Sequence, residues 1–349
     1  MNDRELLVGL YREALAAVEP AAAVARALRA RPLPDAPVTL LACGKAACAM
    51  ARGALEVLGP RVERGEVCTS DGAAFDLGRL RVREAGHPLP DERGLEAARA
   101  ALALARGTRA PSRLLVLLSG GASALWCSPA PGLELADKLR TTESLLAVGA
   151  PIERVNAVRK HLSAIKGGRL ALASGTARIA TLAISDVRGD APDRIGSGPT
   201  AGDPTRFADA CAALEEHGLA RSVPPRVAAH LRAGAAGERE ETPESVPSER
   251  YQLVAALDHA LEGRAPRTAR ARAGGDAVRG RPGRGRAAGR GDPPRPPAGG
   301  RTPDRGRRAG RAGARSGPWR ALPGTGPAAG AQALGRASGH RAVRGQRRP

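Results

Sequence analysis

Aromatic side chains are scarce in this 349-residue chain, which has two Trp, two Tyr and two Phe. A core must therefore be built from Leu, Val and Ala, and the aromatics that usually interleave RNA-binding segments are missing. Long apolar runs are absent too. The longest strongly apolar run, residues 114–118, falls far short of the ~20 residues a bilayer span requires, and residues 1–5 have no signal-peptide character. The five cysteines (Cys43, Cys48, Cys68, Cys127 and Cys211) form no CxxC pair and have no nearby ligand histidine. They read as small buried hydrophobes with free thiols in a reducing cytoplasm, and zinc is not expected. Neither a GxxxxGK[ST] phosphate loop nor a GxGxxG fingerprint is found, which sets aside Walker-type and dinucleotide-binding sites.

Charge divides the chain at residue 262. Residues 263–349 hold 22 Arg, no Lys and three acids (Asp276, Asp292 and Asp304), a net of +19. The preceding residues carry 33 basic and 32 acidic side chains, the near-neutral balance of an ordinary globular protein. With 20 Gly, 11 Pro and almost no large apolar side chains, the tail cannot offset the entropy of ordering its backbone and is expected to be disordered. Residues 1–262 suffice for one large α/β domain or two modest ones.

Within that part, an amphipathic opening segment (Leu6, Leu7, Leu10, Ala14 and Val18) precedes a recurring pattern. Short apolar runs at 38–43, 113–118 and 177–184 each end in a loop of Gly, Ser, Asp or Lys, as expected for strands buried on both faces of a parallel sheet. Helical stretches are predicted at 91–106, 134–148, 152–174 and 205–218, and residues 250–262 start one more βα unit. This alternation predicts a doubly wound, mostly parallel, Rossmann-like α/β fold with its ligand crevice at the carboxyl ends of the strands.

Those strand ends carry the candidate chemistry. In Ser119-Gly120-Gly121-Ala122-Ser123 the glycines let backbone N–H groups converge on an anion and the hydroxyls add donors, although a tight turn would use the same residues. Lys45, after Gly44, either projects into the crevice toward a phosphoryl group or carboxylate, or snorkels to solvent. Residues 156–169 pack five basic or imidazole groups into one stretch. Asn156, Lys160, Ser163 and Gly167 fall on one helical face, and Val155, Val158, Leu162 and Ile165 on the apolar stripe. Asp186 and Asp190 can take a Mg²⁺ that bridges nucleotide phosphates, act as a base toward a hydroxyl, or simply form a turn. Ser197-Gly198-Pro199-Thr200 adds another hydroxyl-and-glycine turn, and His87 sits in a proline-fixed loop. Convergence on an anionic ligand makes phosphoryl transfer the leading reaction class.

Residues 44–47, 85–91, 118–125, 155–171, 184–190 and 197–200, in that order, resemble the bacterial and archaeal glycerate 2-kinases, which carry a C-terminal MOFRL domain and are often labelled hydroxypyruvate reductases. The resemblance covers about residues 1–262. It implies a cytoplasmic enzyme that uses ATP and Mg²⁺ to phosphorylate D-glycerate at its 2-hydroxyl, giving 2-phosphoglycerate. Lys45 then matches the family's essential lysine and supplies charge for the transition state. Ser119, Gly120, Gly121 and Ser123 would hold phosphate or the glycerate carboxylate, and Ser197, Gly198 and Thr200 would line the cofactor side of the cleft. Asn156, Arg159 and Lys160 would contact the substrate, and Asp186 and Asp190 would hold Mg²⁺, with Asp190 or Asp186 activating the hydroxyl. A reductase is the weaker alternative without GxGxxG.

The resemblance stops at about residue 263, where the family continues into a second domain. Arg, Gly, Pro and Ala share codon families rich in G and C, so the tail has the composition of a GC-rich gene read out of frame. The other reading is a protein that meets nucleic acid non-specifically through the tail. On the frameshift reading this chain is a poor catalyst or none.

Overall fold

The computed structural model describes residues 2–262 apart from 176. The readings of the tail, residues 263–349, lie outside the described residues.

Six strands form one sheet: β1 (Val38–Cys43), β2 (Val62–Ser70), β3 (Arg81–Ala85), β4 (Arg113–Leu118), β5 (Arg178–Ile184) and β6 (Arg250–Ala255). All neighbours are parallel, in the order β3-β2-β1-β4-β5-β6. This is the doubly wound arrangement expected from the alternating pattern. β1 and β4 are central and buried on both faces, which is why they are almost wholly apolar, apart from Thr39 and the edge residue Arg113. One core lies between the sheet and helices Pro20–Ala30 and Ala47–Leu58; the other lies on the opposite face against Glu92–Gly107.

β2 and β3 are additions to the sequence reading, which had no strands there. β2 carries Glu63, Arg64 and Glu66 and looks too polar for an inner strand. Glu66 is nevertheless buried, because Arg83 of β3 pairs with its carboxylate across the ladder. Another difference concerns the predicted helix 152–174. It runs only over Ile152–His161 and resumes at Arg169–Ala173. The Ser163 hydroxyl accepts from the Ile165 and Lys166 amides, and Gly167 (φ 55°) and Gly168 (φ 79°) adopt left-handed backbone, so the intrahelical ladder cannot continue.

Four helices, Leu135–Ala147, Ile152–His161, Phe207–Glu216 and Pro225–Ala235, build a lobe with its own core. Phe207 is central to it, set edge-on to the rings of His161 and His230.

Candidate active site

The strand order reverses between β1 and β4, so the loops that follow these strands flank the crevice of the doubly wound fold. They are tightly stitched together. The Ser119 amide donates to the Cys43 carbonyl at 3.0 Å, Lys45 N–H donates to Gly120 O at 2.8 Å, and Ala46 N–H donates to Ser119 Oγ at 3.1 Å. Ser119 is buried, and its hydroxyl serves this loop-to-loop bond. Gly120 lies beneath Asp186, where a Cβ would stand 2.1 Å from Asp186 Oδ2. A Cβ on Gly121 would stand 3.0 Å from the His87 ring and 3.3 Å from Lys45 Cγ, which places the exposed Lys45 side chain and His87 beside the same turn.

A cavity of about 530 Å³ opens beside this turn. Its wall brings together the expected residues Gly120, Gly121, Ser123, Asn156, Arg159, Asp186 and Ser197. The strand-end loops form one side and the first turns of the Ile152–His161 helix form the other. Arg188 and Arg194 add positive charge, the latter paired with Glu153 at 3.1 Å. Three guanidinium groups and a glycine turn around one space make it suited to an oxyanion.

Below this cavity, Ser123 Oγ and Ser197 Oγ are 2.6 Å apart. Lys166 Nζ donates to Ser123 O at 2.9 Å, Ser123 Oγ at 3.3 Å and Gly196 O at 3.4 Å, and Arg159 Nη2 donates to Ser123 O at 3.4 Å. Burial pushes the Lys166 ammonium well below the usual lysine range, and the charges of Arg159 and Lys138 add to that effect.

Other expected residues lie elsewhere. Lys160 is buried with its ammonium 3.0 Å from both Asp193 and Asp203, so this ion pair, rather than a cleft ligand, occupies it. Thr200 is buried and bonded to Thr181 Oγ1 at 2.9 Å, and Gly198 is buried with its carbonyl accepting from Gly168 N–H. Asp190 (φ 51°) lines a neighbouring cavity of about 1010 Å³ at the ends of β5 and β6, and Asp186 borders both cavities. Among the described residues no group of three or more His, Cys, Asp or Glu could hold a metal ion. Two carboxylates on one cavity fit the oxygen chemistry of Mg²⁺, which takes one or two protein carboxylates and completes its shell with water and phosphate. Lys138, not singled out in the sequence, is buried near this site.

Cys43, Cys48, Cys68 and Cys127 are buried free thiols and Cys211 is a half-buried one, in accord with the sequence reading. Among the described residues no helix is long and apolar enough to cross a membrane.

Comparison with known proteins finds the family described as Domain of unknown function (DUF4147) matching residues 6–232. The chain is 40% identical over 267 residues to a glycerate 2-kinase of Pyrococcus horikoshii, covering 73% of this chain and 60% of that protein. It is 41% identical over 265 residues to an Agrobacterium vitis protein named for hydroxypyruvate reductase, covering 75% of this chain and 58% of that protein. A crystal structure of glycerate kinase from Thermotoga maritima superposes with a TM-score of 0.70 at 34% identity, covering 77% of this chain and 62% of that one. The chain thus spans about three fifths of the length of these relatives.

Proposed function

The chain belongs to the DUF4147 family, and from that premise we propose that residues 1–262 are the N-terminal domain of a glycerate 2-kinase, which transfers the γ-phosphoryl group of ATP to the 2-hydroxyl of D-glycerate. The observation that carries this reading is the arginine-lined cavity of about 530 Å³ at the end of β4, where a glycine turn and Asp186 meet. Phosphoryl transfer needs positioning and charge stabilisation more than covalent chemistry, and this wall supplies both.

In this reading the Gly120–Gly121 backbone holds the phosphate chain, and Arg159, at the boundary of the two cavities, contacts the substrate. Asn156 donates from the opposite wall, and Lys45 at the neighbouring loop stabilises charge that develops on the transferring group. The hydroxyl oxygen attacks the γ-phosphorus as the bond to ADP breaks, and its proton passes to Asp186 or Asp190. Mg²⁺ would be held by the same two aspartates, where it would neutralise phosphate charge. For residues 263–349 we propose an out-of-frame replacement of the family's second domain, which would leave this chain, a cytoplasmic protein in this reading, a poor catalyst or none.

The test is ADP release from ATP and Mg²⁺ with D-glycerate, run on a protein whose frame is corrected from residue 263. Hydroxypyruvate-dependent NADH oxidation without ADP release would overturn the kinase reading. Nucleic-acid association rests on the tail alone and would show as weak, sequence-independent binding lost steeply with salt.

A further inference from the structure

A smaller cavity, about 120 Å³, adjoins the first and shares Ser123 and Arg159 with it. Lys138, Lys166 and Arg159 face it together, with Cys127 and the loop Pro88-Leu89-Pro90 completing the wall, and Glu143 is the one acid on its lining. Lys138 and Lys166 are 4% and 1% exposed, yet among the described residues none of the three cations forms an ion pair with a carboxylate. Lys166 is held by three neutral oxygens around the Ser123 loop. Lys138 reaches one protein acceptor, the Arg159 carbonyl, at 3.5 Å. Burying ammonium groups without a counter-charge lowers stability, so a fold that keeps two of them beside a guanidinium is suited to an anion from outside.

Resting on the kinase reading, we infer that this small cavity seats the carboxylate of the acceptor, a three-carbon 2-hydroxy acid, between Lys138 and Arg159. Size supports the division of labour. A space of about 120 Å³ has room for roughly four waters or one small organic acid and excludes a nucleotide, which needs the larger cavity. The shared Ser123 and Arg159 set the boundary, so an acid seated below presents its hydroxyl toward the space above. Lys166 is a positioning residue that fixes the Ser123 loop between the two.

The experiment titrates the full chain by calorimetry with D-glycerate, glycerol, D-lactate and ATP·Mg²⁺, and repeats this with Lys138→Met. The expected result is that D-glycerate binds, glycerol, which lacks the carboxylate, does not, and Lys138→Met weakens D-glycerate about tenfold or more while ATP binding is unchanged. Because the substitution removes an uncompensated buried charge, its melting temperature should be equal or higher, which rules out misfolding as the cause. D-Glycerate binding that is unaffected by Lys138→Met, or matched by glycerol, overturns the carboxylate pocket and leaves the kinase reading intact. Lys138-dependent binding of D-lactate without D-glycerate or ATP keeps the pocket and removes the kinase reading. If no small acid binds at millimolar concentration, the carboxylate pocket is wrong, and ADP release by the frame-corrected protein decides the kinase reading separately.

Discussion

A Cβ on Gly44 would stand 2.1 Å from Ser119 Oγ and 2.6 Å from Ser119 O, so the β1 and β4 loops can close on each other only if residue 44 has no side chain. Gly44 also has φ 130°, a conformation that residues with a side chain rarely adopt. Gly44→Ala should therefore cost about 2–3 kcal/mol or more, since the obstacle is backbone and the strain has nowhere to relax. Thermal unfolding of the two proteins checks this, and an unchanged midpoint would show that the loops can separate freely.

The sequence displayed β1, β4 and β5 because strands buried on both faces are largely apolar, and their Gly and Ser endings marked the crevice. It concealed β2, whose Glu66 is buried through a partner 17 residues away, Arg83, that no local pattern announces. Arg159 and Lys160 show the same limit at the site. Adjacent residues on a helix point about 100° apart, and the packing of the four-helix lobe decides that Arg159 lines the cavity while Lys160 turns inward to Asp193 and Asp203. Nor could local pattern place Lys138, because the groups around it, Pro88–Pro90, Cys127, Arg159 and Lys166, come from other elements.

Lys160→Met tests that inward role. It leaves the Asp203 carboxylate, with 0% side-chain exposure, without its cation, and should lower stability by roughly 3–5 kcal/mol at neutral pH. Burial pushes Asp203 up, but the hydroxyl and amide of Thr205 and the Lys160 ammonium outweigh it and hold the carboxyl below its usual range. Stabilisation of this sign is present above the ordinary carboxylate value and is lost as pH falls through the folded one, so wild type and variant should converge below about pH 4. Adding Asp203→Asn to Lys160→Met should restore much of the loss. A D-glycerate affinity that collapses in the double variant after stability returns would instead make Lys160 a substrate ligand.

Lys138 should impose a signature at alkaline pH. Burial pushes it down to about 8, with Cys127 opposing and Arg159 and Arg169 reinforcing the shift. Between about 8 and the ordinary lysine value near 10, the unfolded chain binds the proton and the folded chain does not, so this residue makes stability rise with pH across that window. Lys138→Met should flatten the rise, as read by urea unfolding at pH 7.5 and 9.5. Over the same range, loss of the ammonium should weaken D-glycerate binding. Affinity that holds constant from pH 7 to 9.5 would argue that Lys138 does not face the acid.

Lys45 is exposed beside Gly121, and Asp190 borders a cavity of about 1010 Å³ that is bounded on one side by the ends of β5 and β6. Charged groups in such open positions are screened by water and act weakly until a second wall excludes it. On the frameshift reading, a frame-corrected protein should therefore release ADP at a rate orders of magnitude above the present chain when given ATP, Mg²⁺ and D-glycerate. In that corrected protein Lys45→Met should lower turnover by about 10²-fold or more with the melting temperature unchanged, as expected when a group that stabilises developing charge is lost. The present chain also exposes Leu6, Leu7, Tyr11 and Leu15 on its first helix and Leu257 on its last described one, so it should aggregate more readily than the corrected protein. Equal turnover by the two chains would mean that residues 1–262 complete the active site by themselves, and the second wall would then have no part in the chemistry.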